Sequence, residues 1–495
     1  MAKPLNVLFI LADQFRADCL GSAGNPVIKT PNLDALAAEG TLFRQCYVQT
    51  APCGPSRMSI FTSRYMCSTR AVDNQTPLTD ARENVAMALR EAGHKPALMG
   101  YNDYAVDPRI LPPDDPRTYT LNYDNFLPGL DVALDHEYDS KEYFAMLREK
   151  GYPEWLLSHD AVHAPNVPPE GPGDHLPLRF PAHYRAEDCE CRFITNTAID
   201  YLRDRQDTGW VLSLNYIKPH SPKICSAPYN DMYDPADMPE ANRRPEELTS
   251  AHPYLAAAHS DPQWASERDL REALANYYGM ITELDTSLGI LFDALKTSGQ
   301  WDRTLIVFSS DHGDYVGDHY LDGKGRHYET GIHVPLIIRD PLPEADSTRG
   351  EQLDGFVESI DLAPTLLEYL GVPVPDRFQG RSVLGRVRGK ADSEAKAEVY
   401  YEWDFRGDFR QDTDRDPDRC LLWAVRDNNW KYVQFADEGM PPLLYDLSTD
   451  PEEQYNVADD PVHAATVLAC CQKLLRWRMA NEDQRMEHWA SQYRR

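Results

Sequence analysis

No run of 18 or more apolar residues occurs anywhere in this 495-residue chain, so nothing in it has the length of a membrane-spanning helix. The apolar stretch near the start, Val7 to Ala12, is cut by Asp13 before it reaches the length of a signal-peptide core, and a cytoplasmic protein is expected. Basic residues are in deficit: 50 Lys and Arg against 79 Asp and Glu leave a formal charge of -29. A field of that sign repels phosphate backbones and anionic lipid surfaces, which sets aside nucleic acid and membranes as partners. A small anionic substrate remains compatible, because a bound divalent cation and a few local basic groups reverse the potential inside one pocket. The ten cysteines lack any repeating spacing, and Cys189/Cys191 and Cys470/Cys471 lack the partners of a zinc site, so most are expected to be reduced and buried or incidental. Internal repeats and long polar tracts are also missing, and 42% hydrophobic with 26% charged residues describes a chain folded throughout.

What is present is βα alternation. The length suits two or three units, or one enlarged α/β domain with a small partner. Asn6 to Ala12 is a short continuous apolar run that suits a strand buried on both faces of a parallel sheet. Thr30, Pro31, Leu33, Leu36, Ala37 and Gly40 spell a capped short helix, and a loop from Tyr47 to Pro55 feeds a further helix from near Ser56. Lys95 to Tyr101, Trp210 to Ile217 and Thr304 to Phe308 read as further buried strands, with helices over Asn84 to Ala92 and Asp188 to Arg205. The apolar spacing from Ser266 to Ser298 predicts a long helix, and Pro335 within Val334 to Ile338 predicts an edge strand. The stretch around residues 160–182, rich in proline and histidine, reads as a functional loop or lid, or equally as an insertion. Beyond about residue 385 four strand-like runs follow without intervening helices, then a helix from about Val462 to Met479. The expected division is an α/β domain over residues 1–385 and a smaller antiparallel α+β unit over residues 386–495.

Two strands end in pairs of metal-type ligands, Asp13-Gln14 and Asp311-His312, and in open α/β sheets sites form beyond the carboxyl ends of strands. Oxygen donors with a single imidazole favour calcium, magnesium or manganese over zinc. Cys53 lies at the start of a helix whose positive end favours an anion, and Arg57 lies one turn on. These residues alone leave two readings open, a reactive thiolate or a small buried cysteine.

Cys53-Gly-Pro-Ser-Arg57 resembles the C-x-P-S-R signature of the type I sulfatases, within the alkaline phosphatase superfamily. Thr30-Pro-Asn-Leu-Asp34, Ser310-Asp-His-Gly313 with Gly317-Asp-His319, and Leu444-Tyr-Asp-Leu447 with Asp450-Pro451 and Asn456 resemble family landmarks in the same order, so the likeness spans nearly the whole chain. It is nearest to the phosphonate monoester hydrolases and the arylsulfatases grouped with them, through Ala71-Val-Asp-Asn74, Gly100-Tyr101, Asp107-Pro-Arg109, Lys218-Pro-His220, Ser226-Ala-Pro-Tyr229, Gly323-Lys324 and Tyr401-Glu-Trp-Asp-Phe-Arg406. The resemblance implies an alkaline phosphatase-like α/β fold, a large mixed β-sheet flanked by helices with the smaller C-terminal antiparallel domain. It implies oxidation of Cys53 to formylglycine by a formylglycine-generating enzyme, and one divalent ion, Ca2+ or Mn2+ with Mg2+ as a further candidate, held by Asp13, Gln14, Asp311, His312 and residue 53. Asn74, Tyr101, His220 and Lys324 are then contacts for the substrate oxyanion, Arg57 steadies the modified residue, His220 is the general acid and Lys324 a charge clamp. A homo-oligomer is expected.

The expected reaction is hydrolysis of sulfate monoesters of aryl or other small alcohols, with phosphonate monoesters and phosphate diesters as the alternative or as secondary substrates. A noncatalytic, anion-binding relative is a third reading, opposed by retention of Cys53, Arg57 and the four metal candidates. One departure bears on the substrate: where the phosphonate monoester hydrolases place a threonine two residues after the tyrosine, this chain has Asp103. A carboxylate there repels an anionic ester unless it faces away, binds a cation or recognises a positive substituent.

Overall fold

The computed structural model describes residues 4–482 except 79, 105–106, 117–124, 138–139, 260–263, 265, 391–393 and 410–415. Three of the four predicted buried strands form its centre. Strand Asn6–Ala12 lies between Val211–Tyr216 and Thr304–Ser310 and is parallel to both. All three are buried along their whole length, which is why they read as continuous apolar runs rather than alternating ones. Pro96–Gly100 and then Asp131–Asp135 extend the sheet in parallel on one side. On the other side Leu336–Arg339 pairs antiparallel with both Thr304–Ser310 and Thr41–Phe43, and Glu351–Leu353 closes the eight-stranded sheet, which is therefore mixed.

The 31-residue helix Glu267–Thr297 covers one face, burying Leu270, Leu274, Tyr277, Ile281, Leu284, Leu288, Leu291 and Leu295 as its spacing predicted. Helix Glu190–Arg203 packs beside it in the same apolar cluster. Helices Cys53–Thr62 and Leu362–Tyr369 lie in the cluster on the opposite face. The predicted edge strand is a correction: Leu336–Arg339 is interior to the sheet, while His333–Val334 belongs to a separate three-stranded sheet. Pro335 sits where the chain passes from one sheet to the other, so its missing N–H costs neither ladder a bond.

The four C-terminal runs form an antiparallel sheet in sequence order, Val399–Asp404, Leu421–Arg426, Trp430–Phe435 and Leu443–Asp446. Helix Ala464–Ala480 buries Cys470, Leu474 and Trp477 in a cluster with Val425, Tyr432 and Leu444 of that sheet, and with Tyr65 and Ile360 from the preceding part of the chain. Among the described residues no helix is long and apolar enough to cross a membrane.

Candidate active site

The carboxyl ends of the central strands meet the start of one helix. Ala12 and Ser310 are register partners on adjacent parallel strands, so Asp13-Gln14 and Asp311-His312 emerge side by side. The helix facing them starts at Cys53, three residues before the position expected from sequence, and all ten of its residues are buried. Pro55 does not delay it, because N–H groups in a first helical turn have no intrahelical acceptor to lose. Gly54 suits a close approach: a Cβ there would be tight, 3.2 Å from the Asp103 carbonyl oxygen and from Asn74 Cα.

One ligand atom from each of Asp13, Cys53, Asp311 and His312 falls within 4.8 Å of the others, and all four residues are buried. His312 Nε2 is 3.2 Å from Cys53 Sγ, which is 3.9 Å from Asp13 Oδ1. Gln14, in the left-handed region at φ 69°, donates its backbone N–H to Asp311 Oδ1 (3.1 Å) and its side-chain Nε2 to Asp314 Oδ2 (2.6 Å). Its Oε1 is buried without a hydrogen-bond partner among the described residues. Asp314 is itself fixed by Lys223 at 3.1 Å, which also pairs with Asp322 at 2.8 Å. Hard carboxylate and amide oxygens, one imidazole and an orphaned buried amide oxygen suit a divalent cation.

Arg57 is fully buried and engaged on three sides. Its Nε donates to Asp311 Oδ2 (2.9 Å), and one terminal nitrogen donates to Asp13 Oδ2 (3.3 Å) and to the Tyr101 hydroxyl (2.7 Å). The guanidinium also stacks 4.0 Å over the Tyr101 ring. It therefore braces the carboxylates rather than bonding directly to residue 53. Burial, then repulsion from Asp311 and Cys53, raises the pKa of Asp13; burial acts the same way on Asp311, but His312, Arg57 and Lys324 outweigh it and hold that carboxyl low.

Lys324 Nζ donates to Cys53 Sγ at 2.8 Å and lies 2.7 Å from His220 Nε2. Burial opposes its charge, but Cys53, Asp13 and Asp311 more than offset that and raise its pKa. Because an ammonium can only donate, His220 Nε2 accepts and the Nδ1–H donates to Ser221 O at 2.6 Å. Burial and the neighbouring Lys324 lower His220 to about 4, in keeping with that neutral form. Asn74 Oδ1 accepts from the Gly54 N–H (2.9 Å), which leaves its amide nitrogen as the donor.

These residues border a cavity of about 180 Å³ lined by Asp13, Cys53, Asn74, Tyr101 and His220 and, beyond them, by Asp103, Glu137, His159 and His163. Of the second group only Asp103 is visible beforehand, as a departure in a motif. Glu137 follows a strand too exposed to read as buried, and His159 and His163 lie in and beside the stretch read as a lid or an insertion. That stretch is pinned to its surroundings: His163 Nε2 bonds Glu190 (3.0 Å), and His175 Nδ1 and the Leu176 N–H both bond Glu272 (2.7 Å each).

The sulfatase family profile matches residues 5–372, most of the chain. The chain belongs to the sulfatase family. A second profile, N-sulphoglucosamine sulphohydrolase, C-terminal, matches residues 317–480 of this sulfatase. The multifunctional alkaline phosphatase superfamily protein PehA of Trinickia caryophylli is 36% identical, over 98% of this chain and 97% of that one. An arylsulfatase of Clostridium perfringens (strain 13 / Type A) is 30% identical, over 77% of this chain and 78% of its own. The crystal structure of the phosphonate monoester hydrolase of Agrobacterium radiobacter superposes with a TM-score of 0.89 and 37% identity, covering 98% of this chain and 97% of that one. This protein is a hydrolase of the sulfatase or phosphonate monoester hydrolase kind, with the large mixed sheet and separate C-terminal antiparallel sheet expected of it.

Proposed function

We propose that this sulfatase hydrolyses sulfate monoesters of small alcohols or phenols, with phosphonate monoesters and phosphate diesters as secondary substrates. The observation that carries the reading is the convergence on Cys53 of Asp13, Asp311 and His312 from one side and Lys324 from the other.

Asp13, Gln14 Oε1, Asp311, His312 and residue 53 would hold the divalent ion, Ca2+ or Mn2+ with Mg2+ as a further candidate by the hardness of the donors. When bound, it supplies positive charge against the anionic ester and lowers the pKa of an oxygen it binds. Conversion of the Cys53 thiol to an aldehyde by a formylglycine-generating enzyme supplies a carbon able to carry the attacking hydroxyl. Arg57 keeps Asp13, Asp311 and Tyr101 aligned through its three hydrogen bonds. The Tyr101 hydroxyl accepts from Arg57, so its own O–H is left to donate to a substrate oxygen, beside the Asn74 amide nitrogen and Lys324 Nζ. His220 Nε2 is an acceptor here, so the general-acid role expected of His220 passes to the pair: Lys324 Nζ holds the proton for the departing alcohol or phenol, and His220 aligns it. A phosphate monoester carries a further negative charge that calls for more positive groups than Lys324 and the bound cation supply, and is the poorest fit.

The phosphonate reading has its own support in the 37% identity and 0.89 TM-score to the Agrobacterium radiobacter hydrolase. Turnover of an aryl sulfate, an aryl phosphonate monoester and a bis-aryl phosphate is compared on one preparation whose Cys53 conversion is measured by peptide mass spectrometry. The sulfate is expected to lead in kcat/KM; a phosphonate lead reverses the order, and an active preparation carrying only unmodified thiol overturns the formylglycine assignment.

A further inference from the structure

The geometry points to a cation subsite formed by Asp103 and Glu137, which selects esters whose alcohol or phenol carries a positively charged, alkylated nitrogen. The substrate class rests on the hydrolytic reading above; the cation site does not. Strands Pro96–Gly100 and Asp131–Asp135 are adjacent and parallel, with Gly100 and Asp135 as register partners, so the residues that follow them emerge together. Gly100 makes the exit possible, since a Cβ at its φ of 96° would lie 2.0 Å from the Asn215 carbonyl oxygen. The strand ends then place Asp103 and Glu137 in the wall of the cavity that also contains Cys53.

Asp103 is only 4% exposed, and among the described residues its carboxylate has no hydrogen bond or ion pair. A buried carboxylate in that state is costly unless something else pairs with it. The protein's own cations nearby bond elsewhere: Arg57 to Asp311, Asp13 and Tyr101, with its remaining terminal nitrogen making no hydrogen bond among the described residues, Lys324 to Cys53 and His220, and His163 to Glu190. Arg57 and Lys324 lower the Asp103 pKa at a distance without overcoming the effect of its burial. Burial and the charge of Asp103 push Glu137 up to about 9, so the empty pair resists ionisation, and a cation placed against it relieves that resistance. Ile217 and Pro222 line the same cavity beside the Tyr101 ring, one face of which carries Arg57, and such apolar neighbours suit an alkylated ammonium better than a hydrated metal ion.

The test uses two aryl sulfates of matched shape, 3-(trimethylammonio)phenyl sulfate and 3-tert-butylphenyl sulfate, with the full-length, formylglycine-bearing, metal-loaded enzyme. The ammonium ester is expected to exceed its neutral isostere at least tenfold in kcat/KM. That ratio is expected to fall toward one in Asp103→Asn and Glu137→Gln. Asparagine tolerates the left-handed backbone at φ 58°, and Glu137→Gln provides the same readout should Asp103→Asn fail to fold. A wild-type ratio near one, or a ratio unchanged in both variants, overturns the subsite. Should no sulfate, phosphonate or diester be turned over, the proposed function falls, and the subsite is judged by binding of phenyltrimethylammonium to the same proteins. Saturable binding weakened in the variants upholds it, and absent or unchanged binding overturns it.

Discussion

The wall of the pocket built from Asp13, Arg57 and Asp311 and the wall built from Asp103 and Glu137 both bury carboxylates, yet they treat them differently. On the first, a fully buried guanidinium donates to both acids, and His312 and Lys324 add further positive or donor groups. On the second, neither acid has an ion-pair partner among the described residues, and burial raises both pKa values. The difference separates charge organised by the chain for itself from charge left for a ligand. It also explains how a protein of net charge -29 can hold an anionic ester: potential is set pair by pair inside the cavity, not by the total.

Removing the centre of the first wall has the largest expected effect. Cys53→Ala should lower turnover at least about 10,000-fold while the melting curve stays near wild type; near-normal turnover would assign the nucleophile elsewhere. Lys324→Met should lower kcat/KM by about 100- to 10,000-fold, with a steeper loss for esters of weakly acidic alcohols than for nitrophenyl esters. An equal loss across leaving groups would make Lys324 an oxyanion clamp only. Arg57→Met leaves Asp13 and Asp311 unpaired and should destabilise the fold by about 3–5 kcal/mol in denaturant titration, with Ca2+ or Mn2+ recovering part of it. An unchanged midpoint would mean that the first wall is not held by charge pairing.

The smallest effect belongs to the second wall and is read in pH. Glu137 keeps its proton up to about 9 when folded, whereas an unfolded glutamate releases it near 4.5. Between those values the native state binds more protons, so this residue makes stability fall as pH rises. Glu137→Gln should flatten that slope; an identical slope would show that the second wall is already neutralised by the protein.

Much of the candidate site was legible because it sits where buried strands end. The runs before Asp13 and Asp311 are apolar enough to declare themselves, and the Cys53 motif is compact. Glu137 was not legible, since the strand before it is short and mostly exposed, with only Leu134 buried. The Pro335 strand misled because a proline at a break between two sheets looks, in one dimension, like a proline on an edge. The direction of the Lys324–His220 hydrogen bond was also out of reach, as it depends on a 2.7 Å approach between residues about a hundred positions apart.

By itself the sequence determined the βα order, the long covering helix, the C-terminal antiparallel sheet and the donor types gathered at the candidate site, because periodicity and side-chain chemistry are local properties. Only the tertiary structure decided which charges are paired. It placed Arg57 between two acids from different strands and left Asp103 and Glu137 in one cavity wall without an ion-pair partner among the described residues, because pairing depends on distance and burial, which the order of residues does not contain.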